Sequence, residues 1–283
     1  MPPSIITLLS DFGTTDAFVG IMKGVILSIH PTVRIVDLTH AVPPQQVLPA
    51  AVLLRSAVPF FPPQAIHVAV VDPGVGSARR ALLIDTAHGL FVGPDNGVLS
   101  LAAPPASRRT VRHITNETLF RQPVSRTFHG RDVFAPVAAH LSRGADPQAC
   151  GPVIDTIAEL AVPAAHWSAR RIAGEVVYVD HFGNLVTNIA ADALAAFTVS
   201  TLSVSIHRTR VAGPVEMYTA VAPGLPLAIV GSWGVLEIAV RNGSAAAMFA
   251  ANFPIFRFIV MCLGSMLMES AICPLLVVTG RIY

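Results

Sequence analysis

The stretch Ile66-His67-Val68-Ala69-Val70-Val71-Asp72-Pro73-Gly74-Val75-Gly76-Ser77-Ala78-Arg79-Arg80 changes character at one residue. Ile66 to Val71 is an apolar run of strand length, and it stops at Asp72, where a Pro-Gly pair turns the chain. Three readings of Asp72 compete: a turn residue that caps its own backbone, part of a phosphate-binding loop, or a catalytic carboxylate held by an arginine. The phosphate-loop reading fails. Gly74-Val75-Gly76-Ser77 has no following Gly-Lys-Ser/Thr and no third glycine in place. The other two stay open on these residues alone.

Working outward, apolar runs alternate with helical spacing. Ile5 to Leu9 reads as a buried strand, Ala17 to His30 as a helix stopped by Pro31, and Val33 to Leu38 as a second strand. Gln45 to Val58 is helical, Pro59 to Pro63 breaks it, and Ile66 to Val71 follows. Ala81 to Asp85 and Leu90 to Val92 are short strands before the turn Gly93-Pro94-Asp95-Asn96-Gly97, and Asp132 to Arg143 is a helix. The expected fold class is therefore α/β, with an N-terminal domain over 1–165 made of a mostly parallel sheet flanked by helices. The pattern changes after Pro163, with the boundary expected between Val162 and Arg170. Glu175 to Asp180, Leu185 to Ile189, Leu202 to Ile206, Pro214 to Tyr218, Leu227 to Val230 and Leu236 to Val240 are short, strand-like and separated by turn residues. They predict a smaller C-terminal all-β domain over 170–247. The tail, 248–283, is atypical. Its apolar run Phe258 to Met268 is too short for a spanning helix, which needs about 20 residues, so a buried or badly folding tail is the reading rather than a membrane anchor.

Composition narrows the function classes. The chain has 283 residues, enough for one or two domains with a sizeable core. Much of its 53% hydrophobic share is alanine, so it says little about membranes. The net charge of +2 comes without basic blocks or interleaved aromatics, so nucleic acid is not an implied partner. Cys150, Cys262 and Cys273 are widely spaced with no CxxC, which argues against a disulfide framework or zinc site and fits a reducing compartment. The N-terminus shows no basic segment or cleavage site before its first polar motif, so no signal peptide, no membrane partner and a cytoplasmic location are expected.

Several motifs could carry chemistry. Arg79 can fold back on Asp72 and keep it ionised. His129, in Thr127-Phe128-His129-Gly130-Arg131-Asp132, precedes a glycine that permits close approach to a ligand, although a lone histidine is more often structural. In Ser10-Asp11-Phe12-Gly13-Thr14-Thr15-Asp16 the letters DFG suggest a kinase magnesium motif, but their place near the N-terminus, ahead of any catalytic loop, rules that out. Asp11 ends a strand where ligands bind in open α/β sheets, and it can accept two hydroxyls of a ribose. Asp16 is either a helix N-cap or a ligand contact. Asp180, Phe182 and Asn184, in Val179-Asp180-His181-Phe182-Gly183-Asn184, offer a carboxylate, an aromatic face and an amide, or else a Gly-Asn hairpin turn with a core phenylalanine. Gly231 to Ala239 and Arg241 to Ser244 are polar strand-flanking loops, unspecific alone. No metal-ligand cluster is visible.

Together, LLSDFGTTDAFVG, VVDPGVGSARR, VGPDNGVL, FHGRDVFAP, YVDHFGNLVTNI and GSWGVLEIAVRNGSAA run in the order found in the S-adenosylmethionine hydrolases (hydroxide adenosyltransferases), relatives of the fluorinase and chlorinase. The chain resembles that family from about Ser4 to Ala247. The resemblance implies a homotrimer whose substrate lies between the N-terminal domain of one subunit and the C-terminal domain of the next. It implies catalytic Asp72, Arg79 and His129, a set that the halogenating relatives lack. It places Asp11 on the ribose, and Asp16, Asp180 and Ser232 on the methionine end. Phe182 would line the adenosine site, Asn184 and the loop Arg241-Asn242-Gly243 would read adenine, and Glu237 and Tyr218 are further adenosine contacts. Gln45 and Trp233 depart from the fluorinase pattern, where a tryptophan and a carboxylate-binding arginine stand, and the tail after Ala247 resembles nothing in the family. The implied reaction is attack of water on ribose C5′ of S-adenosylmethionine, giving adenosine and methionine with no cofactor and no metal. The alternatives are chloride transfer to the same carbon, or an inactive adenosine-binding protein.

Overall fold

Ile66–Val70 forms strand β3 inside a six-stranded sheet. The computed structural model describes residues 5–168, 171–195, 197, 202–206, 209–250 and 259–263. The chain divides into two compact units between Leu160 and Ala161. In the first, β1 (Ile5–Ser10), β2 (Arg34–Thr39), β3, β4 (Ala81–Thr86), β5 (Gly89–Pro94) and β6 (Arg108–His113) lie in the order β2-β1-β3-β5-β4-β6. β2, β1, β3 and β5 run parallel, while β4 is antiparallel to both β5 and β6. The sheet is thus mostly parallel, as the alternating strand and helix signals predict.

Every residue of β3 is buried, which is why, His67 apart, it reads as an apolar run rather than an alternation. Successive side chains point to opposite faces. Ile66, Val68 and Val70 pack with Met22 and Ile26 of helix α1 (Phe18–Ile29) and with Val137 and Leu141 of helix α3 (Ala135–Ser142). Ala69 and Val71 pack with Ala50 and Leu54 of helix α2 (Val47–Ala57). Each such leucine or isoleucine contributes about 1.5–3 kcal/mol by leaving water. The helix read over Asp132 to Arg143 starts with a π turn at Gly130–Phe134 before α3. The strand β6 has no counterpart in the sequence reading. Its Arg108, Arg109 and Arg112 interrupt any apolar pattern, which a sheet edge tolerates.

The second unit is strand-rich. β7 (His166–Ser168), β8 (Arg171–Val179), β9 (Leu185–Ala190), β10 (Ser203–Ile206), β11 (Thr209–Val215), β12 (Pro226–Val230), β13 (Val235–Val240) and β14 (Ile259–Leu263) form one sheet. Its order is β14-β10-β11-β12-β13-β9-β8-β7, and β14 also pairs with β8, so the ring closes as a barrel. Two short helices, α4 (Ala191–Ala195) and α5 (Ala245–Met248), accompany it. The strand expected at Pro214 to Tyr218 instead ends at Val215, and Tyr218 begins a short 3₁₀ turn. Of the apolar run Phe258 to Met268, Ile259–Leu263 is β14, pairing with β10 and β8, and the remainder lies outside the described residues.

Candidate active site

At the C-terminal ends of β1 and β3 the first unit opens a cleft of about 410 Å3. Its polar lining is Asp11, Gln45, Asp72, Thr127 and His129, and Phe12, Phe18 and Phe128 make an aromatic wall. The three phenyl rings pack on one another with centroids 5.3–5.9 Å apart. A concave, largely apolar site with a few convergent polar groups is the ordinary shape of a small-molecule pocket. The aromatic wall was not singled out from sequence. The signal was the phenylalanine next to each candidate, Phe12 beside Asp11 and Phe128 beside His129.

Arg79 is the hub. Its Nε donates to both oxygens of Asp72, at 3.0 Å each, and its Nη2 donates to Asp72 Oδ2. The same Nη2 lies 2.7 Å from His129 Nδ1. The guanidinium also sits over the Phe134 ring, 5.3 Å from its centroid. Asp72 does open the turn, its carbonyl accepting from Val75 N–H at 3.1 Å, but its carboxylate bonds Arg79 rather than its own backbone. A guanidinium only donates, so Nδ1 of His129 must accept, and the proton of the neutral ring sits on Nε2. Burial, then the Arg79 charge, holds the His129 pKa below the ordinary imidazole value, against the opposing pull of Asp72 and Asp132. His129 is neutral at pH 7 and presents an N–H.

The supports are local. Asn96 Nδ2 donates to the carbonyl of Val71 at 2.8 Å and fixes the end of β3. Gly76 has φ +76, and a Cβ there would lie 2.2 Å from the Arg126 carbonyl oxygen, so only glycine lets the Asp72–Arg79 turn rest on the loop that carries His129. That loop is tied down by Asp132, fully buried, which accepts from Arg131 Nε at 2.7 Å and from the Ser125 backbone at 2.9 Å. Asp11 Oδ2 accepts the Gln45 backbone N–H at 2.7 Å. Beneath it, the buried Ser10 hydroxyl meets His40 Nδ1 at 2.7 Å, and the His40 carbonyl accepts from Gly13 N–H at 2.8 Å.

Asp16 is exposed and lies outside the lining. It does not cap α1 either, because Ala17 holds the N-cap position with no side-chain bond. The remaining candidates belong to the second unit. Asp180, just beyond β8, accepts the backbone N–H of Phe182 at 2.9 Å and of Asn184 at 2.8 Å, and its Oδ2 accepts Asn184 Nδ2 at 2.9 Å. Asn184 is buried, but Phe182 is 74% exposed and is no core residue. Glu237 is buried on β13, its carboxyl against the Cα of Gly231, and burial followed by the Asp180 charge raises its pKa. The same two carboxylates, after burial, raise the Tyr218 pKa. Ser232 and Asn242 are exposed, Asn242 with φ 55. Trp233 packs on Tyr178, 5.7 Å between centroids. The structure therefore gathers Asp11, Asp72, Arg79 and His129 in one unit, and Asp180, Asn184, Tyr218 and Glu237 in the other. Among the described residues no group of three His, Cys, Asp or Glu is placed to hold a metal ion, and no helix is long and apolar enough to cross a membrane.

Residues 6–151 match the family model of the SAM hydroxide adenosyltransferase N-terminal domain, and residues 174–253 match that of its C-terminal domain. The chain is 42% identical to the (R)-S-adenosyl-L-methionine hydrolase of Salinispora tropica, over 89% of this chain and 95% of that one. It is 40% identical to the hydrolase of the same name from Thermus thermophilus, over 84% and 92%. A fluorinase of an Actinoplanes species is more distant, 29% identical over 65% and 71%. The crystal structure of an uncharacterized conserved protein from Thermotoga maritima aligns with a TM-score of 0.84 at 35% identity, covering 91% of this chain and 99% of that one.

Proposed function

The chain belongs to the SAM hydroxide adenosyltransferase family, and on that premise we propose that it hydrolyses S-adenosyl-L-methionine to adenosine and L-methionine at the Asp72–Arg79–His129 cleft. The observation that carries the reading is the bifurcated Arg79, which holds a carboxylate and a neutral imidazole side by side at the cleft wall. S-adenosyl-L-methionine is the substrate, and the reaction needs no cofactor. The sulfonium makes ribose C5′ electrophilic, and the leaving group departs as a neutral thioether, so no general acid is required.

Water is the nucleophile. As the O–C5′ bond forms, the C5′–S bond breaks and its electron pair goes to sulfur. One water proton stays on the product hydroxyl and the other must be taken up. His129 donates its Nε2–H to the water oxygen and so orients a lone pair at carbon. It cannot be the base in this tautomer, because Nδ1 is held by Arg79. Asp72 Oδ1 accepts a single Arg79 bond and keeps a lone pair for the proton. Orientation of water against C5′ and exclusion of bulk solvent by the aromatic wall supply much of the rate. Asp11 is the ribose-holding carboxylate. Asp16, Asp180 and Ser232 hold the methionine end, and Phe182, Asn184, Glu237 and Asn242 form the adenosine contacts. The reading extends to a homotrimer, as the family resemblance implies, and to a cytoplasmic location.

The test is chromatography of S-adenosyl-L-methionine digests in chloride and chloride-free buffer. Adenosine is expected in both, and Asp72→Ala should lower its formation by roughly 10²–10⁴-fold. Undiminished turnover in Asp72→Ala, or 5′-chloro-5′-deoxyadenosine as the main product in chloride, refutes the reading.

A further inference from the structure

A second cleft, of about 380 Å3, is lined by both Arg79 and His129. Asp72 lines only the first cleft and Arg79 only the second, while His129 lines both. The two clefts therefore meet at the His129 ring. The floor of the second cleft is apolar and buried, from Ala81 at the start of β4, Ile114 after β6 and Val133 in the π turn. Its rim is polar, with Glu117 and Gln122 exposed and His113 part-buried at the end of β6. Phe120 and Val124 narrow it.

Resting on the hydrolase reading, we propose that this second cleft is the solvent path of the reaction, admitting the attacking water and letting its proton out while substrate fills the first cleft. The stoichiometry gives such a path a use. Every turnover consumes one water and, because a sulfonium cation becomes two neutral products, releases one proton. Substrate covering the first cleft shields Asp72 and His129 from that side, which is the condition that protects the reaction from bulk solvent. Without another route both species would wait for product release. The second cleft is large enough for a short file of waters, each taking about 30 Å3. It ends on the one imidazole that the reacting water touches, and it carries His113 and Glu117 toward the surface as groups able to pass a proton. The attacking water is consumed, so the proton left on Asp72 departs with the next water that the cleft delivers. No covalent step is added to those already given.

A plug that is fitted after folding tests this. Val124→Cys and, separately, Gln122→Cys place a thiol in the cleft away from the reacting groups. The folded protein is then treated with benzyl methanethiosulfonate, and the tag is later removed with dithiothreitol. Untagged variants should match the parent chain. The tag should lower kcat at least about tenfold with the KM for S-adenosyl-L-methionine within about twofold, and dithiothreitol should restore it. The parent chain, treated alike, controls for its own cysteines. A tagged enzyme with unchanged kcat, or one whose KM rises while kcat holds, overturns the solvent path. No adenosine from the untagged parent chain overturns the hydrolase reading, and this proposal with it.

Discussion

At the residue scale the site turns on the shape of one side chain. Arg79 presents a planar fork, which is how a single cation can hold both oxygens of Asp72 and still donate to His129. A lysine carries the same charge as a point and cannot span the two partners. Arg79→Lys should therefore lose roughly 10²-fold in kcat, the usual cost of misplacing a reacting group by about 1 Å, with a much smaller effect on KM. Steady-state kinetics would check it, and a KM effect alone would reassign Arg79 to substrate binding. The tautomer of His129 gives a second expectation. Its pKa is lowered by burial and by Arg79, so the ring stays neutral down to a pH below the ordinary 6.5. Protonation would put an N–H against the guanidinium and break that contact. The kcat profile should then hold through neutral pH and fall only below the ordinary histidine range. A base of the ordinary histidine kind would instead show its loss centred at or above about 6.5.

At the scale of elements, two loops make the site and one glycine lets them meet. The turn after β3 carries Asp72 and Arg79, and the loop before the π turn carries His129. They touch where Gly76 faces the Arg126 carbonyl. Gly13, in the loop after β1, is the natural comparison: its φ is +65, but nothing lies within 4 Å of a Cβ there. Each Gly→Ala change pays for a left-handed backbone, roughly 1–2 kcal/mol, but only Gly76→Ala also drives the loops apart. Gly13→Ala should lower thermal stability and leave kcat within about threefold. Gly76→Ala should lower both stability and kcat, the latter by more than roughly tenfold because His129 moves relative to Asp72. Equal kcat values in the two variants would show that the loop contact does not set the site.

At the scale of the whole molecule, the helix–sheet–helix layering of the first unit was legible because β1 and β3 are buried on both faces and so read as apolar runs. β6 was not legible, since an edge strand can carry three arginines, and neither was the closure of the barrel by β14, which depends on pairing partners far away in sequence. The site divided in the same way. Asp72 and Arg79 are seven residues apart around a visible turn, but His129 is fifty residues further on and joins them only in the fold. The histidine that sequence passed over is His67, whose β3 position looks like a flaw in an apolar strand. It is fully buried, with Nδ1 2.9 Å from the Thr7 hydroxyl and its ring 5.0 Å from that of Phe91. Burial pushes its pKa down to about 4. The unfolded chain binds that proton near pH 6.5 and the native chain only near 4, so between these values unfolding takes up a proton and stability falls as pH falls. The loss accumulates at up to about 1.4 kcal/mol per pH unit, or about 3 kcal/mol by pH 4. Above about pH 7.5 the group contributes almost no slope. Urea melts at pH 7, 6, 5 and 4 for the parent chain and His67→Gln would isolate it, because every other titrating group is common to both. Whatever the substitution costs at pH 7, the two stabilities should converge on acidification, and parallel curves would mean that the buried imidazole takes no part in the acid sensitivity of the fold.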